Sequence, residues 1–179
     1  DWTMVPYVRK SFRKHYINGV KYISGIDTPE MINIDAAHMS IEHDFYKSDE
    51  KAYKYAMAMT EKECHQAIEG VYHNLNSLQS RSGGQLPFSS INFGTDTSVE
   101  GRMVTEQLLK ALDAGLGNGE TPIFPILIFK VKEGVNYNPG DPNYDLLRLS
   151  CKVSSKRLFP NFSFIDAPFN LQYYKEGHP

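Results

Sequence analysis

The apolar positions in the first half of the chain recur at helical spacing. Val5, Val8, Phe12 and Tyr16 fall on one face of a helix over residues 4–17, which leaves Lys10, Arg13 and Lys14 for solvent. Gly25 and Pro29 bracket a turn signal, and residues 30–47 are mixed sequence with weak helical character. Residues 49–80 carry the longest helical pattern. Within it, Thr60 and Glu63 have the spacing of a capping box, which predicts that a new helix starts there. Cys64, Ala67, Ile68, Val71, Tyr72, Leu75 and Leu78 follow as an apolar stripe able to bury against a sheet or a second helix. Gly83 or Gly84 supplies a left-handed stop.

The second half alternates between periods. Residues 87–93 read as a strand in which Phe88, Ile91 and Phe93 interleave with Ser89, Ser90 and Asn92. Thr97 or Ser98 then caps a helix carrying Val99, Met103, Val104, Leu108 and Leu112, and Gly115 ends it. Residues 122–131 are almost continuously apolar, as expected of a strand buried on both faces. Asp141 as N-cap and Pro142 as first helical residue open a helix to about Leu158. Pro160 stops it, and residues 161–166 form a last strand. The order is β-α-β-α-β with helices long enough to cross over, so the fold class is α/β with parallel neighbouring strands and right-handed connections.

Composition changes this picture little. With 179 residues, 41% hydrophobic and 22% charged, the chain suits one domain with a real core. A net charge of -2 removes any general electrostatic case for binding nucleic acid. The apolar run at 123–129 is too short to span a membrane, and no secretory signal pattern opens the chain. Cys64 and Cys151 lie far apart and outside any CxxC, so a disulfide framework is not expected and a reducing cytoplasm fits. The chain starts without Met, which suggests a segment of a longer protein.

Candidate chemistry is sparse. Ser82, Gly83, Gly84 and Gln85 read either as a ligand loop, with backbone amides free to approach a phosphate or ribose, or as a plain helix cap. Ser89, Ser90 and Asn92 lie on a strand that otherwise reads as buried, where polar groups need partners; a barrel interior holding a sugar would supply them. Glu61, His65, Glu69 and His73 recur every four residues. That pattern is either a metal stripe or a solvated face with i,i+4 pairing, and no further ligand cluster supports the metal. His38 and His43 form no pattern. The glycines of GLGNGE (115–120) follow a helix and precede a strand, the wrong order for a dinucleotide fingerprint. Cys64 and Cys151 read as small apolar residues on helix faces.

Four ordered words carry a family resemblance: VPYVRK (5–10), SRSGGQLPFSSINFGT (80–95), GLGNGETPIFPILIFKVKEGVNY (115–137) and DPNYDLLRLSCKVSSKRLFPNFSFIDAPFN (141–170). The chain resembles the anaerobic (class III) ribonucleoside-triphosphate reductases, which are glycyl-radical enzymes. Residues 25–60 are the least family-like part. The resemblance implies a ten-stranded barrel of two parallel half-barrels. Residues 1–179 would be a single segment of that barrel domain, mainly helical over 1–80 and β-α-β-α-β over 81–179. It implies a glycyl radical generated by a radical-SAM activating enzyme, a thiyl radical on a barrel-loop cysteine, formate as reductant and zinc near the C-terminus. It further implies nucleoside triphosphates as substrate and effectors, and a homodimer. The family's MGCR-type radical motif does not occur in residues 1–179, so no catalytic residue is carried over and the segment alone is expected to be inactive. Ser82, Gly83, Gly84, Gln85, Ser89, Ser90 and Asn92 are the expected substrate- or effector-binding residues. Another glycyl-radical enzyme of the pyruvate formate-lyase type, or a non-catalytic α/β binding module, are the alternatives.

Overall fold

The computed structural model describes residues 2–25, 35–77 and 87–173. After a short 3-10 turn (Trp2–Met4), α1 runs Val5–Gly19 and passes into a π-helical turn (Val20–Ser24) that Gly25 ends in the left-handed region. Val8, Phe12 and Tyr16 are buried on α1, as their spacing predicts. Residues 35–43 are turns, not helix, and α2 is the single turn Asp44–Lys47, whose N-cap His43 accepts the Phe45 amide through Nδ1. Tyr46 meets the Phe12 and Tyr16 rings edge-on at 5.0 Å each, Phe12 and Tyr16 lie nearly parallel at 6.2 Å, and the three fill the space between α1 and α2.

The helix α3 runs unbroken over Glu50–Ser77, so the capping box expected at Thr60 does not exist. Thr60 is buried and donates its hydroxyl to the Ala56 carbonyl at 2.7 Å, a mid-helix bond to the preceding turn. The Glu63 carboxylate, free of any capping duty, reaches across to α1. Gly19 lets the two helices approach: a methyl there would stand 3.0 Å from the Tyr55 ring and 3.3 Å from Ala52 Cα. The expected stops at Gly83 and Gly84 lie outside the described residues.

The β-α-β-α-β order is present. The strand β1 is Ser90–Phe93, α4 is Val99–Ala114, β2 is Ile126–Val131, α5 is Tyr144–Arg157 and β3 is Asn161–Phe164; the turn α6 follows at Pro168–Leu171. The sheet is parallel throughout, with β2 between β1 and β3. All three strands are shorter than their sequence patterns suggest. Ser98 is the N-cap of α4, its hydroxyl accepting the Gly101 amide at 3.1 Å. Asp141 and Pro142 do not open α5. The Asp141 carboxylate closes a turn onto the Asn138 amide at 2.8 Å, and the helix begins after Asn143.

Register sorts the sheet residues onto two faces. Ile91, Phe93, Leu127, Phe129, Val131 and Phe162 point to α4 and α5 and join the core with Leu108, Leu109, Leu112, Leu146 and Val153. A fully buried side chain of this size contributes about 1.5–3 kcal/mol, so this layer is a major source of stability. The opposite face carries Ser90, Asn92, Ile126, Ile128, Lys130, Asn161 and Ser163, none of them buried. β2 is therefore covered on one face only among the described residues, not on both. Cys151, expected to be buried, is exposed on α5, because that helix turns Leu146, Ser150 and Val153 inward instead.

Candidate functional site

The half-open sheet gathers the chain's polar strand residues. Ser90 and Asn92 alternate with the core residues Ile91 and Phe93, so both project from the uncovered face, and both are exposed. The inference that they are buried polar groups in need of partners is thus corrected: no layer of described residues lies over them. Across the register, Asn92 stands beside Ile128, which stands beside Asn161; one row on, Lys130 stands beside Ser163. Ser89 belongs to the other side of the strand and is half-buried, its hydroxyl near the Pro87 carbonyl at 3.4 Å. Ser82, Gly83, Gly84 and Gln85 lie outside the described residues, so the structure brings together Ser90 and Asn92 alone from the expected set.

No motif or spacing in the sequence marks Lys130 as a functional residue. The available signal was its position: the one charged residue in an otherwise apolar run from Pro122 to Val131. Its ammonium group forms no hydrogen bond or ion pair with the described residues, and partial burial alone pulls its pKa below the ordinary lysine value.

A second group of residues fixes the carboxyl ends of the strands. Asn136 and Asn143 are fully buried. Asn136 Nδ2 donates to the carbonyls of Gly94 (3.0 Å) and Lys130 (2.9 Å), and its Oδ1 accepts the Lys132 amide at 2.9 Å. Asn143 Nδ2 donates to the carbonyls of Gly94 (3.1 Å) and Asp96 (2.8 Å). Arg102 closes the arrangement from α4, reaching Asn143 Oδ1 at 2.8 Å and Asp145 Oδ2 at 2.6 Å. Backbone groups that leave the sheet at β1 and β2 are thereby satisfied by side chains, and the loops after both strands are tied to each other. No spacing in the sequence marks either asparagine; the available signal is the Asn-rich loop that holds both, VNYNPGDPNY (135–144).

The other candidates have structural roles. Glu61 and His65 face α4, where Gln107 donates to Glu61 at 2.9 Å and its Oε1 lies 3.0 Å from His65 Nδ1. His65 Nε2 is 3.5 Å from Glu69, the expected i,i+4 pairing, and His73 is exposed. Among the described residues no group of three or more His, Cys, Asp or Glu is placed to hold a metal ion. No described helix is long and apolar enough to cross a membrane. Cys64 is half-buried, and burial, then the Glu61 carboxylate, pushes its thiol up to about 11. It lines an open apolar groove of about 460 Å³ between α1, α3 and the start of the sheet, with Tyr7, Ala67, Val71, Ile91 and Pro125. That groove explains why Ala67 and Val71, expected to be covered, are exposed.

The site as described offers hydroxyl, amide and ammonium groups on a rigid sheet. This is chemistry for holding a polar, anionic ligand. Comparison with known proteins gives it a context. The chain is similar to the anaerobic ribonucleoside-triphosphate reductases of Escherichia coli (41% identity) and Haemophilus influenzae (35%), each over 162 residues that make up 90% of this chain and 19% of the relative. It is also similar to the enzyme of that name from Enterobacteria phage T4, at 35% identity over 90% of this chain and 22% of the relative. The chain thus spans about a fifth of the length of the curated relatives it matches. The family model described as anaerobic ribonucleoside-triphosphate reductase matches residues 1–178, and on that near-complete match the chain belongs to this family.

Proposed function

We propose that the chain is a segment of an anaerobic ribonucleoside-triphosphate reductase that converts ribonucleoside triphosphates to deoxyribonucleoside triphosphates by glycyl and thiyl radical chemistry, for DNA synthesis. The observation that carries this reading is the family match over residues 1–178. The parallel sheet with one face covered by α4 and α5 supports assigning residues 87–173 to a half-barrel, whose uncovered face would look into a ten-stranded barrel. On this reading Ser90 and Asn92 face the nucleotide. Ser89 and the loop Ser82, Gly83, Gly84 and Gln85 are assigned to the neighbourhood of the substrate or effector on sequence grounds.

The radical cysteine, the glycyl radical and the zinc ligands are assigned to parts of the parent protein outside residues 1–179. Cys64 lies on α3 and Cys151 on α5, and neither projects from the sheet. The parent would work as a cytoplasmic homodimer, with a radical-SAM activating enzyme and formate as reductant. The test is anaerobic turnover. The full-length protein with activating enzyme, formate and nucleoside triphosphates should form deoxynucleotide, and residues 1–179 alone should form none above a no-protein control. Product from the segment alone, or none from the activated full-length protein, overturns the assignment. Asn92→Ala in the full-length protein should weaken nucleotide binding with little loss of stability.

A further inference from the structure

The uncovered sheet face carries one cation and no anion among the described residues. Lys130 is the penultimate residue of β2, at the carboxyl end of a parallel sheet, where open α/β folds place their ligands. Its neighbours in the sheet are informative. Ser163 is its direct partner on β3. On the β1 side the strand ends at Phe93, and the Gly94 that follows is buried, with a methyl placed on it standing 3.0 Å from the Phe129 ring on the core side, so it adds nothing to this face. Asn92 and Asn161 flank Ile128, one row back on the same face. The Lys130 carbonyl is held by the buried Asn136 at 2.9 Å, so the residue that carries the charge is fixed in place. An ammonium group partly withdrawn from water, with hydroxyl and amide donors around it and no carboxylate paired to it, is complementary to a phosphate.

We propose that Lys130, with Ser163 and Asn92 beside it, binds the phosphate chain of a nucleoside triphosphate. The proposal rests on the reading of this face as nucleotide-facing and adds to it which part of the nucleotide lies here. The Ile126 and Ile128 side chains, lower on the same face, then line the path toward the uncharged end of the ligand. Asn92 serves both regions, since an amide can accept as well as donate.

The experiment uses the full-length reductase with Lys130→Met, Lys130→Arg and Asn92→Ala. Binding of the four ribonucleoside triphosphates and the matching monophosphates is measured by calorimetry at low and high salt. A single charge-assisted contact predicts a loss of roughly 10- to 100-fold in triphosphate affinity for Lys130→Met. The monophosphates should lose much less. Lys130→Arg should keep most of the affinity, and the salt dependence of triphosphate binding should shrink in Lys130→Met. Wild-type triphosphate affinity in Lys130→Met overturns the proposal. If Asn92→Ala still weakens binding in that case, the face remains nucleotide-facing and the phosphate assignment alone falls; if Asn92→Ala is also silent, the reading of the face falls with it. If Lys130→Met fails to fold, Lys130→Gln takes its place in the binding measurement: a folded Lys130→Gln protein with unchanged triphosphate affinity shows that the position needs a polar side chain and no cation, and equally overturns the proposal.

Discussion

Arg9 and Glu100 stand 91 residues apart in sequence and meet at 2.8 Å, Nε to Oε1, where α1 crosses the start of α4. Glu100 is 1% exposed, and the same oxygen accepts the Ile41 amide at 3.1 Å. Arg9 also reaches the carbonyls of Ala37 and His38, at 3.3 Å each. One ion pair therefore joins α1, the turns at 35–41 and the first crossover helix. Burial pushes the Glu100 pKa up, but the Arg9 bond and the backbone amides outweigh it and hold the carboxyl below its usual value. Removing one partner leaves a buried charge, so Arg9→Met should cost about 3 kcal/mol. Glu100→Gln, which keeps the acceptor for Ile41, should cost less. Because the folded pKa is depressed, the contribution is present above the unfolded value of about 4.3 and is lost as pH falls through the folded one. Urea unfolding between pH 3 and 7 should show an acid-dependent loss that Glu100→Gln lacks.

Gly101 and Gly70 make a controlled pair. Both lie inside helices, where Gly→Ala ordinarily gains up to about 1 kcal/mol. Nothing lies within 4 Å of a methyl group placed on Gly70. A methyl on Gly101 would overlap the Asp96 side chain, 2.6 Å from its Cβ, and Asp96 is itself buried and receives the Ser98 amide at 2.9 Å. Gly70→Ala should raise the melting temperature. Gly101→Ala should lower stability by about 2 kcal/mol, the usual scale of overpacking. Equal effects of the two substitutions would mean that Asp96 moves aside freely.

Local signals were legible and context-dependent ones were not. Ser98 and Gly115 bound α4 as read, because a cap and a stop are chemistry between residues near in sequence. Thr60 and Glu63 have the same spacing as a cap and are not one: a threonine inside a helix can satisfy itself on the preceding turn, and spacing does not reveal whether that turn exists. The run at 122–131 suggested two covered faces because Ile126 and Ile128 are apolar. Both are only half-buried among the described residues, since whatever those side chains meet is not set by local pattern. Likewise the register that sets Lys130 beside Ser163 joins residues 33 apart, beyond any helical or strand period.

Glu63 tests the misread cap directly. Its carboxylate accepts from Ser11 Oγ at 2.6 Å and from Lys14 Nζ at 2.8 Å, and lies 2.7 Å from His15 Nε2. The Lys14 bond, then the Ser11 bond, lower its pKa to about 2. The side chain is 45% exposed, so solvent screens much of this and the net worth is no more than about 1 kcal/mol. The sign follows from the depressed value: the stabilisation holds above the unfolded pKa and disappears as pH falls toward 2. Glu63→Gln should therefore have a small effect at pH 7 that vanishes in acid. Carbon-detected NMR titration of the wild-type carboxyl should show a midpoint well below that of an exposed glutamate. A midpoint in the ordinary range would mean that the α1 cluster does not form.

The two buried asparagines predict a different kind of failure. Asn136 makes three hydrogen bonds and Asn143 donates two, all to backbone groups at the carboxyl ends of β1 and β2 or the loops after them. Each such bond contributes about 1 kcal/mol, and a buried carbonyl left without its donor costs more. Asn136→Ala should therefore cost about 3 kcal/mol, and its effect should be focused. The amide of Lys132 loses the Asn136 acceptor and should exchange faster with solvent, while the amides inside α4 and α5 follow only the global loss. Asn143→Asp separates geometry from charge. It keeps the shape but replaces the Nδ2 donor with an acceptor facing the carbonyls of Gly94 and Asp96, so it should cost at least as much as Asn143→Ala despite being isosteric. If hydrogen exchange shows uniform loss in Asn136→Ala, or if Asn143→Asp is nearly neutral, the loops after the strands are held by packing and not by these amides.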